Sequence, residues 1–141
     1  MLWRQMFRIY LTPKMLKKFA PPFIREHMKN HWGWSAEQVA KERAAGNTVI
    51  MVSATADYLL MPLLDGMEFD LIICSEMEPA YPWKYRFLNW GQNKAAALKS
   101  VLSTYRVVRA YSDSRSDRPM MDMAAEQVWI NPETGCRISA P

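Results

Sequence analysis

The pattern of hydrophobic and polar positions changes at Gly46 and divides the chain into two parts. Before Gly46, apolar residues recur at helical spacing between prolines, and Ser35 with Gln38 forms a capping box at the start of the last helix. After Gly46, short apolar runs at residues 49–52, 71–74, 107–111 and 128–130 alternate with helical segments at 57–64, 93–105 and 118–125. Continuous apolar runs of this length predict buried strands, and their alternation with helices predicts an α/β fold with a parallel sheet.

Composition and charge support the same division. The chain has 141 residues, of which 50% are hydrophobic and 23% charged, as in one folded domain. Residues 1–45 hold nine Lys and Arg against three Asp and Glu, whereas residues 46–141 hold nine against eleven. A basic segment can bind nucleic acid or an anionic membrane surface, but its usual explanation is a solvated helical face. We therefore expect a helical N-terminal segment at 1–45 and an α/β core at 46–141.

Cysteine usage and the apolar runs bear on the cellular compartment. Cys74 and Cys136 make neither a metal-binding spacing nor a disulfide framework, which favours a reducing compartment. No run reaches the roughly 18 to 20 apolar residues that span a bilayer, and polar residues interrupt the segment after Met1. A cytoplasmic protein with no membrane span and no signal peptide is expected.

Polar clusters follow two of the predicted strands, at the edge where an open parallel sheet binds its ligands. The first strand is followed by Ser53-Ala54-Thr55, and the third by Ser112-Asp113-Ser114 with Asp117 close behind. Lys94 opens the helix that precedes this third strand. A hydroxyl, an ammonium and two carboxylates are thus expected to face one crevice. Hard oxygen ligands of this kind suit Mg²⁺, which one or two carboxylates and a substrate phosphate can hold.

A structural explanation exists for some of these residues. Ser53 would cap the helix that follows it, and for Asp117 helix capping and metal binding are equally compatible with the sequence. Lys94 is harder to explain in this way, because a cation in the first turn opposes the helix macrodipole by roughly 0.3 to 1 kcal/mol. Asp113 stands between two serines at a strand end and serves no apolar face. The pattern therefore favours an anion close to Lys94.

Four segments in this order resemble the second, third and fourth motifs of the haloacid dehalogenase superfamily, most closely its phosphoserine phosphatase-like branch. They are Val49-Ile50-Met51-Val52-Ser53-Ala54-Thr55, Gly91-Gln92-Asn93-Lys94, the run from Tyr111 to Met121, and Ile130-Asn131-Pro132. The resemblance covers about residues 46–138 and implies a Rossmannoid parallel sheet. The helical first third resembles the later half of the cap that this branch inserts between its first two motifs, so a partial cap is expected at the N-terminus.

The resemblance implies a Mg²⁺-dependent phosphatase that acts on a small phosphorylated metabolite through an aspartate nucleophile. Ser53 and Ala54 would bind the phosphoryl oxygens, and Lys94 would neutralise the charge of the nucleophile and the phosphate. Asp113 would bind Mg²⁺ directly, and Asp117 would orient that site either as a ligand or from behind the ligands. Ser53 and Lys94 are thus the expected catalytic residues of this chain, and Asp113 and Asp117 its expected metal site.

One family motif has no counterpart. The first motif of the family is a strand that ends in Asp-x-Asp, whereas the earliest aspartate here is Asp57, which follows Ser53. The chain is therefore expected to be a truncated member, inactive by itself. In the family this strand lies between the strands predicted here at 49–52 and 107–111, so we expect a gap between those two, or its closure by pairing, and self-association through unpaired edges.

Two other functions stay open. The first is a non-catalytic domain that holds Mg²⁺ and a phosphorylated ligand, or that completes its sheet with a partner chain. The second is a basic adaptor whose helical segment docks on nucleic acid or anionic lipid, with Trp3, Trp32 and Trp34 stacking or inserting. Packing in the cap and core explains these tryptophans more simply, so no nucleic-acid partner is expected.

Overall fold

The computed structural model describes residues 18, 20–24, 26, 33–64, 66–78, 84–131 and 133–140. Residues 20–24 are helical, and the helices after them are α1 (Gly33–Ala44), α2 (Asp57–Leu63), α3 (Gln92–Leu102) and α4 (Arg118–Met121), with a 3-10 turn at Arg115–Asp117 before α4. Its strands are β1 (Ile50–Ala56), β2 (Leu71–Met77), β3 (Tyr85–Phe87), β4 (Arg109–Ser112), β5 (Glu126–Ile130) and β6 (Arg137–Ile138). The predicted α/β class is confirmed. None of the described helices is long and apolar enough to cross a membrane.

Helix α1 ends before Gly46, as the sequence predicts, but it begins before the predicted capping residue Ser35. The backbone N–H of Gly46 donates to the carbonyl of Arg43 at 2.9 Å, and that of Asn47 donates to the carbonyl of Glu42 at 3.1 Å. This pair of bonds closes a Schellman motif. The helix starts at Gly33, so Ser35 lies inside it and the predicted capping box is wrong.

The strands form two three-stranded sheets. In one sheet β1 is parallel to β2, and β3 is antiparallel to β2. In the other sheet β4 is parallel to β5, and β6 is antiparallel to β5. The hydrophobic pattern does not predict β6, because both of its residues are exposed and it has no apolar face.

Strands β1 and β4 each lie at an edge of their sheet. Within the part of the chain that the structure describes, no strand pairs with the outer edge of either one. Closure by direct pairing of these two strands is therefore not seen in the described part of the chain.

Helix α3 holds the two sheets in one hydrophobic core. Its buried face contributes Ala95 and Leu98, which cluster with buried residues of the second sheet and of α4. Apolar side chains of the first sheet pack against the same cluster, among them Ile50, Val52 and Ile73. Packing through this helix thus joins the sheets where strand pairing does not.

Glu42 attaches α1 to the second sheet. Its carboxylate accepts hydrogen bonds from the hydroxyl of Tyr111, from Arg109 at 2.6 Å and from Asn47 at 2.7 Å. Arg109 also pairs with Glu126 on β5 at 2.7 Å. Burial acts to raise the pKa of Glu42, but the hydrogen bonds from these three donors outweigh it and lower the pKa to about 2.

Replacing Glu42 with glutamine is expected to lower the free energy of unfolding at neutral pH by about 1 to 3 kcal/mol, because a neutral amide accepts weaker hydrogen bonds from Arg109, Tyr111 and Asn47 than a carboxylate does. The pKa of Glu42 is about 2 in the folded chain and 4.5 ordinarily. Its contribution is therefore complete above the ordinary value and is lost as the pH falls toward the folded value. Urea unfolding of both proteins across this pH window should show a weaker acid dependence for Glu42→Gln.

Glu37→Gln is the matched control, since Glu37 lies on the same helix in an exposed pair with Lys41. It should leave the unfolding curves nearly unchanged. If Glu42→Gln retains the full acid dependence of the wild type, Glu42 is not the group responsible.

The open edges of β1 and β4 predict self-association. Unpaired backbone groups in apolar surroundings each cost roughly 1 to 3 kcal/mol, and pairing with another chain removes that cost. Sedimentation velocity is expected to show oligomers whose fraction rises with protein concentration, and the melting temperature should rise with it. A monomer with a concentration-independent melt would contradict this prediction.

Candidate active site

Lys94 lies in the first turn of α3 and is only 7% exposed. Its Nζ is 2.7 Å from Oδ1 of Asp117, which stands at the end of the 3-10 turn after β4. The hydroxyl of Ser112 donates to the other oxygen of Asp117 at 2.8 Å. We call these three residues the Lys94 cluster. Asp117 supplies the anion that the position of Lys94 predicts.

Gly91 determines where α3 begins. It is the N-cap of the helix and has a φ of 55°, a conformation that residues with a Cβ rarely adopt. The sequence pattern predicts a helical segment that begins at Asn93, whereas Asn93 lies inside the first turn of a helix that begins at Gln92. Its side-chain amide instead donates to the carbonyl of Leu88 at 2.8 Å and closes the turn that precedes the helix.

Asp113 directly follows β4 and is exposed. The Ser112 hydroxyl accepts a hydrogen bond from the backbone N–H of Ser114 at 3.1 Å, and the Ser114 hydroxyl accepts one from Ser116 at 3.3 Å. These bonds shape the loop that carries Asp113. The carboxylate of Asp113 makes no hydrogen bond or ion pair with another described residue and is available to a cation.

Ser53 lies within β1, which continues to Ala56. The pairing of β1 with β2 is irregular between Val52 and Ala56, and the Ser53 hydroxyl accepts a hydrogen bond from the backbone N–H of Thr55 at 3.1 Å. No hydrogen bond joins the Ser53 side chain to Lys94 or Asp117 in the described structure. The Lys94 cluster is therefore brought together directly, whereas Ser53 is not part of it.

The structure also decides between capping and other roles for two residues. Ala56, not Ser53, is the N-cap of α2. Asp117 is at the N-cap of α4, but its side chain makes no capping hydrogen bond. Its oxygens are engaged by Lys94 and Ser112 instead. Helix capping therefore explains neither the side chain of Ser53 nor that of Asp117.

The described residues can be tested for their fit to Mg²⁺. No group of three or more His, Cys, Asp and Glu among them is arranged to hold a metal ion. Both oxygens of Asp117 are engaged within the Lys94 cluster, which leaves Asp113 as the unengaged carboxylate beside it. Mg²⁺ keeps several waters and can be held by one or two carboxylates with substrate phosphate. Asp113, which follows Ser112 of the cluster in the chain, is therefore the candidate protein ligand for such an ion.

Sequence analysis assigned no individual role to three polar residues around the site. Ser112 was identified only as part of a motif, and Ser75 and Asn89 were not identified. Ser75 and Asn89 are both completely buried. The amide of Asn89 donates to the carbonyls of Ser53 and Ile73, each at 3.0 Å. No local pattern signals such a bond, because its partners are 36 and 16 residues away.

Comparison with known proteins identifies the family. The profile of haloacid dehalogenase-like hydrolases matches residues 2–122. This chain belongs to the haloacid dehalogenase-like hydrolase family.

Two curated proteins that are similar in sequence to this haloacid dehalogenase-like chain are named as phosphatases. A probable phosphatase of Mycobacterium tuberculosis is 26% identical over 113 residues, which cover 75% of this chain and 39% of that protein. A histidinol-phosphatase of Neisseria meningitidis is 23% identical over 135 residues, which cover 84% of this chain and 59% of that protein. This chain thus spans less than two thirds of the length of either relative.

A solved structure shares the fold. The crystal structure of a protein of unknown function from Bordetella pertussis Tohama I superposes with a TM-score of 0.73 at 19% sequence identity. The match covers 89% of this chain and 61% of that chain. The likeness shows that the two chains share a fold.

Lys94→Met is expected to lower the free energy of unfolding by about 3 to 5 kcal/mol, because it leaves the buried carboxylate of Asp117 without its cation. Adding Asp117→Asn removes that charge and should restore part of the loss, which a double-mutant cycle in urea measures.

Lys99→Met, on the exposed face of the same helix, is the control and should change little. Additive effects of Lys94→Met and Asp117→Asn would show that the two side chains do not interact in solution.

Proposed function

We propose that this chain forms the Mg²⁺- and phosphate-binding part of a haloacid dehalogenase-like phosphatase, whose substrates are monoesters of small metabolites. The observation that carries the proposal is the buried ion pair of Lys94 and Asp117 next to the unengaged carboxylate of Asp113. A buried cation and an available carboxylate at one strand end suit a phosphate and its metal ion. The names of the two relatives support a phosphorylated small molecule as the substrate class.

Lys94 would hold the phosphate. An ammonium has three N–H donors, and the bond to Asp117 uses one of them. Because the site is buried, a positive charge there stabilises the charge of a phosphoryl group more strongly than it would in water. Ser53 and Ala54, at the irregular end of β1, would donate to other phosphoryl oxygens.

Asp113 would hold Mg²⁺, with water and phosphate oxygens completing its coordination. When bound, Mg²⁺ supplies neutralisation of the phosphate charge. Asp117 would not need to touch the ion. It would restrain the Lys94 ammonium on one side and, through Ser112, the start of the Asp113 loop on the other.

The nucleophile is the missing part. No aspartate precedes Asp57, and Asp57 lies at the start of α2, where its carboxylate accepts a hydrogen bond from the backbone N–H of Tyr58 at 2.8 Å. We infer that these 141 residues bind phosphate without turning it over, with residues 1–45 as part of a cap and 46–141 as the core. A strand ending in Asp-x-Asp that paired with the open edges of β1 and β4 would complete the enzyme.

The same absence favours a second candidate function, a non-catalytic domain that binds Mg²⁺ and a phosphorylated ligand. The basic adaptor is less well supported. Trp34, one of its three tryptophans, packs edge-on against Tyr111 at 5.7 Å between ring centroids. It also lies so close to Gly135 that an added Cβ would come within 2.9 Å of the indole. Trp3 and Trp32 lie outside the described residues.

Calorimetry tests the proposed site. Mg²⁺ is expected to bind the wild-type chain weakly, and Asp113→Ala should weaken this binding at least tenfold, roughly the effect of losing the main charged ligand. Inorganic phosphate added with Mg²⁺ should bind the wild-type chain. It should bind the Ser53→Ala variant less tightly. A simple aryl phosphate should not be hydrolysed.

Asp122→Ala is the matched control, because Asp122 is an exposed carboxylate that bonds Gln127 outside the site. It should bind Mg²⁺ like the wild type. Equal Mg²⁺ binding by Asp113→Ala would remove Asp113 from the metal site, and hydrolysis by the wild-type chain would show that a nucleophile is present after all.

A further inference from the structure

Two completely buried polar side chains, Ser75 on β2 and Asn89 after β3, occupy the junction between β1, β2 and the turn before α3. The backbone N–H of Asn89 donates to the Ser75 hydroxyl at 2.9 Å. That hydroxyl in turn donates to the carbonyl of Ala54 at 2.8 Å. We call this pair the Asn89–Ser75 bridge.

The bridge lies where the pairing of β1 with β2 is irregular. Val52 pairs with Ile73, and the next pair is Ala56 with Ser75. Three residues of β1, numbers 53–55, therefore stand opposite one residue of β2. An irregularity of this kind leaves backbone groups without a hydrogen-bond partner in the neighbouring strand, and side chains can bond to these groups instead.

The two side chains of the bridge form hydrogen bonds with the backbone carbonyls at this irregular part of β1. The Asn89 amide nitrogen donates to the carbonyls of Ser53 and Ile73, and the Ser75 hydroxyl donates to the next carbonyl of β1, that of Ala54. The conformation of residues 53–55, which include the proposed phosphate-binding residues, thus depends on hydrogen bonds from outside β1.

Asn89 is also linked to the turn that carries Lys94. The backbone N–H groups of Asn93 and Lys94 donate to the carbonyls of Trp90 and Gly91, at 3.1 and 3.2 Å. The Asn93 amide closes the same turn on Leu88. Because this turn is bonded within itself, holding Asn89 in place holds the start of α3 and its lysine.

The orientation of the Asn89 amide indicates which of its atoms matters. Its nitrogen faces two carbonyls, so exchanging nitrogen and oxygen would place acceptor against acceptor. Its oxygen is buried and has no hydrogen-bond partner in the described structure. An unpaired buried oxygen is unfavourable, so asparagine is explained at this position by the donors that it provides.

We propose that Asn89 is a positioning residue that sets the place of Ser53 relative to Lys94, with Ser75 as its support. The inference rests on the proposed function, because it assigns the two positioned groups to one phosphate. Ser53 is connected to Asn89 through its backbone carbonyl, and Lys94 is connected to it through the turn that follows Asn89.

The test uses Asn89→Leu, which has a similar shape, lacks the donors and removes the unpaired oxygen. Ser75→Ala breaks the other half of the bridge and serves if Asn89→Leu fails to fold. Val128→Ala, in the buried part of β5, is the control for a general loss of stability. The readouts on the full chain are amide hydrogen exchange at Thr55 and Lys94 and the affinity for inorganic phosphate with Mg²⁺.

Asn89→Leu and Ser75→Ala should raise exchange at Thr55 and Lys94 together, about tenfold more than at amides of β5, and should weaken phosphate binding by about tenfold. Val128→Ala should do neither beyond its effect on global stability. Exchange that rises equally at all amides, or at Thr55 but not at Lys94, would overturn the proposal. A rise at both Thr55 and Lys94 with an unchanged affinity for phosphate would also overturn it. If the wild type binds no phosphate, the proposed function fails, and with it the positioning role, whereas the exchange comparison still reports whether the bridge joins the two segments.

Discussion

The buried ion pair between Lys94 and Asp117 is the interaction on which this structure depends most. Lys94 belongs to α3, which packs against the first sheet, and Asp117 follows β4 of the second sheet. The pair therefore ties the start of α3, the helix that packs against both sheets, to the loop after β4. A charge buried this deeply requires its partner, because either one alone would be strongly destabilising. The relative position of α3 and the loop after β4 is thus tightly restricted.

The same restriction prepares the site for an anion. Both oxygens of Asp117 accept hydrogen bonds, one of them from Lys94. This bond uses one of the three N–H donors of the Lys94 ammonium. Ser112 bonds Asp117 and also accepts from Ser114, so the loop that carries Asp113 is tied to the cluster at its base. On the other side, the Asn89–Ser75 bridge holds the irregular end of β1. Rigid supports of this kind around a few polar groups are what a phosphate site requires, since phosphoryl transfer depends on positioning and charge stabilisation.

The missing nucleophile and the open sheet edges have one explanation in the proposed function. A strand that paired with β1 and β4 would satisfy their backbone groups, and a carboxylate pair at its end would lie beside the Lys94 cluster. Family membership rests on the profile match over residues 2–122, while the relatives that suggest a phosphatase are matched over only part of their length.

The sequence by itself determined the local features. Apolar runs located the four core strands to within a few residues, the glycine at position 46 ended α1, and the order of the polar segments identified the family. These features depend on residues that are near each other in the chain, so a local pattern contains them. Boundaries at Asn93 and Ser35 were wrong, because neighbouring turns offered alternative hydrogen bonds that propensity alone does not rank.

The tertiary structure decided the pairings. For Asp117, helix capping and metal binding were equally compatible with the sequence, and the structure adds an ion pair with Lys94, a contact across 23 residues. The roles of Ser75 and Asn89 were invisible for the same reason, since a serine and an asparagine beside strands suit many loops. The division into two sheets was also a tertiary outcome, because hydrophobicity marks a strand as buried but does not say which neighbour will take up its hydrogen bonds.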